Sequence, residues 1–208
     1  MFTGIIQGIG FVNTLKKNTD IFTYSVIFPK NLLSNLSIGD SISNNGCCLT
    51  ITKIENENIT FDLIKETIDI TNFKKIKIGD QINLEKSVSL NQPIGGHLMS
   101  GHITCFGTIS EIQCTENKKT IYITIPNKKI MKYFFYKGYV GIDGISLTIS
   151  KILNNGFYIH LIPETIEKTA LKYKKIGSLV NIEIDLNTQI IVDTVERILN
   201  KKFNCEID

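Results

Sequence analysis

The chain has no tryptophan, one arginine (Arg197), three histidines and four prolines. With a single arginine there is no cluster of forked donors to clamp a phosphate or pyrophosphate. The lysine pairs Lys16-Lys17, Lys74-Lys75, Lys118-Lys119, Lys128-Lys129 and Lys174-Lys175 are scattered and set against 20 acids, for a net charge of +3. That pattern reads as solvated surface rather than a nucleic-acid footprint. No G-x-G-x-x-G follows a strand-like run, which argues against a nucleotide-binding turn. The five cysteines are odd in number and none is spaced as CxxC. With no charged-apolar-small leader at the start, the expectation is a reduced, cytoplasmic protein. Apolar runs fall short of a membrane span, so no membrane partner is expected. His97 and His102 are five apart, which puts them on opposite faces of an extended strand, and no carboxylate or thiol cluster completes a metal site.

What the chain does have is a repeat. Asn45-Gly46-Cys47-Cys48-Leu49-Thr50-Ile51 returns as Asp143-Gly144-Ile145-Ser146-Leu147-Thr148-Ile149, 98 positions downstream,. Glu66-Thr67-Ile68 matches Glu164-Thr165-Ile166, Gly79 matches Gly177, Asn83 matches Asn181 and Glu85 matches Glu183. Gly4 and Gly10 match Gly101 and Gly107 one residue out of phase. Each half, at roughly 90 residues, is large enough to bury a core without staples. Two copies of one fold offer two similar pockets, which suits a protein handling two similar small molecules at once.

Both halves read mainly as strand. Thr23 to Phe28, Ile59 to Leu63, Gln81 to Glu85, Thr120 to Ile125 and Val180 to Ile184 are β-branched and largely alternating,. Turn pairs at Gly39-Asp40, Asn45-Gly46, Gly79-Asp80 and Asp143-Gly144 punctuate them at hairpin spacing,. Six short strands per half, closed to remove free edges, make the expected class all-β: two tandem homologous six-stranded Greek-key barrels plus a C-terminal helix. The expected domains are 1–96, 97–187 and 188–208. Short helices are expected over Asn31 to Leu36 and Lys128 to Tyr136. A longer one starts at Thr188 as N-cap, with Ile191, Val192, Val195, Ile198 and Leu199 along one stripe,. Nothing in the first half matches it, so its stripe is expected to cover its own barrel or another subunit.

Matched positions that differ in polar chemistry are Cys48 against Ser146, Asn45 against Asp143, Asp62 against His160 and Ile5 against His102. Two pockets of one shape and different chemistry are what a reaction between two identical molecules requires. His102, an imidazole, suits acid or base work, whereas His97 reads as a buried residue of the domain junction. Cys47 reads as a small core residue.

Met1-Phe2-Thr3-Gly4-Ile5-Ile6, Asn45 to Thr50, Gly95-Gly96-His97-Leu98-Met99-Ser100-Gly101-His102, Lys137 to Thr148 and Ile162-Pro163-Glu164-Thr165 together resemble the bacterial riboflavin synthase family (alpha chain) over nearly the whole chain. The resemblance implies a dismutation: two 6,7-dimethyl-8-ribityllumazine molecules exchange a four-carbon unit, giving riboflavin and 5-amino-6-ribitylamino-uracil. It implies no cofactor and no metal. It also implies a homotrimer whose active sites form between the first barrel of one subunit and the second barrel of its neighbour, with association with lumazine synthase in some relatives. Carried over by position, the first lumazine would touch Gly4, Ile5, Ile6, Cys48, Leu49, Thr50, Asp62, Leu63, Ile64, Lys65, Glu66 and Thr67. The second would touch Gly101, His102, Ile103, Lys137, Ser146, Leu147, Thr148, His160, Leu161, Ile162, Pro163, Glu164 and Thr165. Of the reactive positions, His102 with Ser146 and Thr148 would assist proton removal from the acidic C7 methyl, while Cys48 and Ser41 act at the other ring. Lys137, Asp143 and Asp185 would tune charge and shuttle protons, and Phe2 would anchor the site. A non-catalytic lumazine- or flavin-binding protein of the same build is the alternative; retention of both pockets favours the enzyme.

Overall fold

The computed structural model describes residues 1–17, 21–89, 93–115 and 118–205. The first half folds as β1 (Gly8–Lys17), β2 (Ile21–Ile27), β3 (Ser41–Asn44), β4 (Cys47–Glu55), β5 (Asn58–Ile64), α1 (Lys65–Ile70) and β6 (Gln81–Lys86). The second half repeats it as β7 (Cys105–Thr115), β8 (Lys118–Thr124), β9 (Tyr139–Ile142), β10 (Ile145–Leu153), β11 (Gly156–Leu161), α2 (Pro163–Lys168) and β12 (Leu179–Ile184), followed by α3 (Leu186–Cys205). Both halves close as antiparallel barrels, in the orders β1-β2-β5-β4-β3-β6 and β7-β8-β11-β10-β9-β12. All-β tandem barrels with a C-terminal helix are therefore what the alternation and turn spacing produce. Matched bulges between Val12 and Thr14, Ile51 and Lys53, Ile109 and Glu111, and Ile149 and Lys151 supply the extra strand bend that small barrels need,.

Alternation places one residue in two inside each barrel. The first core is aromatic, with Phe22, Tyr24, Phe28, Phe61 and Phe73 buried together; the second is mostly isoleucine around Phe134 and Phe157. Cys47 lies in the first core, where burial pushes its thiol up to about 12 and leaves it protonated.

The barrels meet at the two hairpin turns. Asn45 and Asp143 both take positive φ, as the first position of a primed hairpin turn requires,. Gly46 and Gly144 touch back to back: a Cβ on either would stand 2.7 Å from the other's backbone nitrogen. Around them runs a doubled polar network with local two-fold character. Asn83 receives Ala170 N–H on Oδ1 and donates Nδ2 to the Asp143 carbonyl, while Asn181 receives Asn72 N–H and donates to the Asn45 carbonyl. All of these groups are buried, so each bond lost leaves a desolvated partner,. Replacing Asn181 with Ala strands the Asn45 carbonyl and the Asn72 amide; we expect a loss of about 2 kcal/mol, read as a drop in thermal midpoint of roughly 4–8 °C.

The short helices fall close to expectation, as 3-10 turns at Lys30–Leu32 and Lys128–Tyr133. α1 and α2 were not foreseen, because six residues carry too little period to register. The long helix starts two residues before Thr188, which is not its N-cap. Asp185 fills that role, its Oδ2 accepting from Thr188 N–H at 2.9 Å and Thr188 Oγ1 at 2.7 Å,. α3 touches its own barrel through polar contacts, Lys132 to Glu196 and Tyr133 to Asp193. Its apolar residues Ile190, Ile191, Val195, Ile198 and Leu199 stay about half exposed.

Candidate active site

Each barrel splits at one place. The β4–β5 ladder runs from Glu55↔Asn58 to Ile51↔Phe61 and then stops, although β4 continues back to Cys47 and β5 on to Ile64. Beyond that point β4 pairs with β3 and β5 with β2. β10 and β11 part in the same way after Ile149↔Ile159. Each parting makes a mouth on the outer face of the barrel. In the first, Cys48 and Thr50 form one lip and Asp62 and Ile64 the other, with Ser41 opposite Thr50 and Thr23 opposite Asp62. In the second the same places hold Ser146, Thr148, His160, Ile162, Tyr139 and Thr120. Thr23 donates to Asp62 at 2.5 Å, and Thr120 shares a 3.0 Å hydrogen bond with His160, so the matched difference preserves its threonine partner. Thr50, Asp62, Ile64, Thr148, His160 and Ile162 are exposed, whereas Leu49, Leu63, Leu147 and Leu161 point into the cores and offer a ligand only backbone. Lys65-Glu66-Thr67 and Pro163-Glu164-Thr165 begin the short helices just past the mouths.

One expectation is reversed. The resemblance, carried over by position, implied Gly4-Ile5-Ile6 for the first mouth and Gly101-His102-Ile103 for the second, but the segments cross the seam. Cys48 N–H donates to the Gly101 carbonyl, and Ser146 N–H to the Gly4 carbonyl, each at 2.9 Å. Ile103 is buried in the first core and Ile6 packs against the second. The crossing is fixed by buried glutamates. Glu85 accepts from Thr3 N–H, Thr3 Oγ1 and Gly4 N–H, and Glu183 accepts from Ser100 N–H, Ser100 Oγ and Gly101 N–H. Burial pushes both carboxyls above the ordinary glutamate range, and these hydrogen bonds pull back the other way,. Phe2, buried, joins the two segments by a paired bridge to Met99, and its ring lies under Gly101.

His102 therefore stands at the mouth of Cys48, not with Ser146 and Thr148. The histidine that reaches Ser146 is His97, with Nδ1 2.7 Å from the hydroxyl. His97 is buried, its Nε2 has no hydrogen-bond partner among the described residues, and its ring stacks on Tyr139 at 5.0 Å and 12°. Burial lowers its pKa, and the charge of nearby Asp185 opposes that shift. The sequence offered one clue, the glycine pair Gly95-Gly96. A Cβ on Gly96 would stand 2.6 Å from Ser146 Cβ, so only glycine lets this segment lie against that serine,.

Two other predicted positions sit elsewhere. Asp143 has no exposed surface: Oδ1 accepts from Asn181 N–H and Asn72 Nδ2, and Oδ2 faces the Lys174 ammonium at 3.1 Å. Burial raises its pKa and Lys174 opposes the rise. A carboxylate so enclosed belongs to the seam and cannot shuttle protons at a mouth. Lys137 is exposed in the turn before β9, at a positive φ of 65° where the first half has Gly39, with its ammonium over the Tyr136 ring. A cleft of about 300 Å³ opens on the seam, lined by Asn45, Asn72, Lys75, Asp80, Tyr173 and Lys174, and holds none of the predicted ligand contacts.

Comparison with known proteins fits this doubled geometry. The lumazine binding domain family matches residues 3–87 and again 100–185. Riboflavin synthase of Escherichia coli K12 is 46% identical over 98% of this chain and 96% of its own length. The riboflavin synthases of Buchnera aphidicola from Schizaphis graminum and of Chlamydia pneumoniae are 47% and 40% identical, over 97% and 96% of this chain and 97% of each relative. Among solved structures, LumP complexed with riboflavin superposes with a TM-score of 0.84 at 30% identity, covering 89% of this chain and all of LumP. LumP complexed with 6,7-dimethyl-8-(1'-D-ribityl) lumazine gives 0.81, also at 30% identity, with 89% and 99% covered.

Proposed function

The chain belongs to the riboflavin synthase family, carrying its lumazine-binding domain twice, and from that premise we propose how its two mouths divide the work. The reaction is the dismutation of two 6,7-dimethyl-8-ribityllumazine molecules to riboflavin and 5-amino-6-ribitylamino-uracil. The observation that carries this reading is the pair of matched barrel openings, equal in backbone and unequal in side chains.

Each mouth takes one lumazine. Strand backbone released where the ladders stop reads the uracil-like edge of the ring, and Asp62, Glu66 and Thr67, or His160, Glu164 and Thr165, receive the ribityl hydroxyls. The Gly101 and Gly4 segments, held by Glu183 and Glu85, close the inner side of each opening. In the second mouth Ser146 and His97 act as one unit: the serine hydroxyl donates to Nδ1 of the neutral imidazole and passes on the proton taken from the C7 methyl. Thr148 stands beside it on the lip. In the first mouth Cys48, Ser41 and His102 face the other ring. Asp185 helps by its charge on His97 and by capping α3, and Lys137 offers its exposed ammonium to ligand from the turn before β9. Holding two rings at reacting distance supplies much of the rest, since such positioning contributes about 7–11 kcal/mol in favourable cases.

Two mouths must face each other for transfer, and the homotrimer provides this by setting the first barrel of one subunit against the second barrel of the next. The exposed stripe of α3 supports subunit contact,. A division at 96/97 into two barrels, with the assembly helix running on from the second at Leu186, follows from the same reading, as does a cytoplasmic location and association with lumazine synthase.

The test is direct. The purified chain is incubated with 6,7-dimethyl-8-ribityllumazine and a chelator, with no added cofactor, while lumazine loss and riboflavin gain are both followed. One riboflavin per two lumazines consumed, over many turnovers, is expected. Binding without turnover would overturn the enzyme reading and leave a binding protein.

A further inference from the structure

We propose that the cleft on the seam between the barrels is a ligand site separate from the two mouths, and that it takes a nucleoside 5'-monophosphate. The base edge sits on a floor of two buried asparagines, and the phosphate lies at a lysine rim.

The floor arises from one break in the local two-fold of the seam. Asn72 of the first half matches Ala170 of the second, as Asn45 matches Asp143. On one side of the two-fold, Asn72 Nδ2 donates to Asp143 Oδ1 at 2.9 Å. On the other side Ala170 has no polar side-chain atom to meet Asn45. The Asn45 side chain accepts from Asn83 N–H on Oδ1, and its Nδ2 has no hydrogen-bond partner among the described residues. Asn72 spends its donor on Asp143, and its Oδ1 has no partner among them either. Both side chains line the cleft, and both are more than nine-tenths buried, at 3% and 8% exposure. One donor and one acceptor, already ordered by the seam network, await the edge of a heterocycle. A ligand that pairs with both does not have to fix them first.

Rim and wall supply the rest. Lys75 and Lys77 line the cleft and have no ion-pair partner among the described residues. They stand against one lining carboxylate, Asp80, whose Oδ2 accepts from Lys77 N–H at 2.8 Å. Lys174 is already engaged, by Asp143 and by the Leu179 carbonyl. Lysine holds a phosphate as a point charge, so the scarcity of arginine forks does not exclude a monophosphate. Tyr173 lines the same cleft and is about half exposed, which gives a base an aromatic surface to stack on,. A volume of about 300 Å³ is at the small end of ligand sites, enough for a mononucleotide,. Lys75 and Lys77 come from the first half and Tyr173 from the second, so the ligand bridges the barrels.

AMP, GMP, UMP and inorganic phosphate are titrated by calorimetry into the full chain, with and without saturating riboflavin. At least one nucleotide is expected to bind about tenfold tighter than inorganic phosphate, with an affinity that riboflavin leaves unchanged. At a concentration tenfold above its Kd it should raise the thermal midpoint by about 3–6 °C, since it binds only the folded seam. Ala170→Asn gives Asn45 the partner that Asn72 gives Asp143, and should weaken binding about tenfold with lumazine turnover unchanged. Lys75→Gln, at an exposed position, should weaken it about fivefold. No nucleotide binding, inorganic phosphate bound as tightly as the nucleotides, displacement by riboflavin, or a Lys75→Gln chain with unchanged affinity would each overturn the proposal. None of these outcomes touches the reading of the mouths, which stands or falls on lumazine turnover.

Discussion

Gly101→Ala is expected to cost about 3–5 kcal/mol of stability and nearly all turnover, although it adds a single methyl group. Gly101 takes φ of 82°, where a side chain costs roughly 1–2 kcal/mol,. Its Cβ would also stand 2.5 Å from Cys48 Cβ, 2.9 Å from Cys48 N and 2.9 Å from the Phe2 ring. Two of those three neighbours are tied to backbone on the lip of the first mouth, so relief must come from moving the segment, and overpacking of this kind costs about 1–3 kcal/mol more. Moving it breaks the Cys48-to-Gly101 hydrogen bond and pulls Ser100 and Gly101 off buried Glu183. Gly39→Ala is the control. Its φ of 95° carries the same backbone penalty, but no described residue lies within 4 Å of the added atom, so about 1 kcal/mol is expected with turnover nearly unchanged,. Urea unfolding and steady-state rates on the two variants separate the contributions; a Gly101→Ala chain that behaves like Gly39→Ala would sink the crossing-segment account.

What was legible in the sequence follows from what repeats in it. Alternation and closely spaced turns fix strands, and a 98-residue echo fixes two copies of one barrel, because those signals are local and periodic. The lips were legible too, since Cys48-Leu49-Thr50 and Ser146-Leu147-Thr148 stand at equivalent registers. The crossing of Gly4 and Gly101 was not. A repeat says which residues are equivalent, not whether a segment serves its own copy or the other one, and here Glu85 and Glu183 hold each segment across the seam. Asp143 misled for a related reason. Its change from Asn45 looked like chemistry at a pocket, but both residues sit in the hairpin turns of the interface, where the carboxylate accepts the Asn181 amide and pairs with Lys174. A histidine at a domain junction reads as structural, and only the folded chain shows the serine partner of His97 and, among the described residues, a second nitrogen without a hydrogen-bond partner.

Replacement of His97 by Gln should have the largest catalytic effect, a fall in kcat of about 100-fold or more with lumazine binding nearly kept, in line with the loss of a positioned base. Gln can still hydrogen-bond Ser146, so the serine keeps its place and the loss reports proton transfer rather than collapse of the lip. The pH dependence makes the attribution specific. Burial lowers the His97 pKa below its ordinary value of about 6.5,, so the neutral imidazole that accepts the serine proton persists on the acid side of that value. The wild-type acid limb is therefore expected below about pH 6.5, and in His97→Gln that limb should vanish from the residual rate. Stability carries the same sign. The unfolded chain takes up the proton first as pH falls, so the contribution of neutral His97 is full above about pH 6.5 and is lost as pH drops through the lowered folded value, a slope that His97→Gln should flatten. A variant with wild-type kcat and an unmoved acid limb would remove His97 from the reaction and return the base to the His102 side of the site.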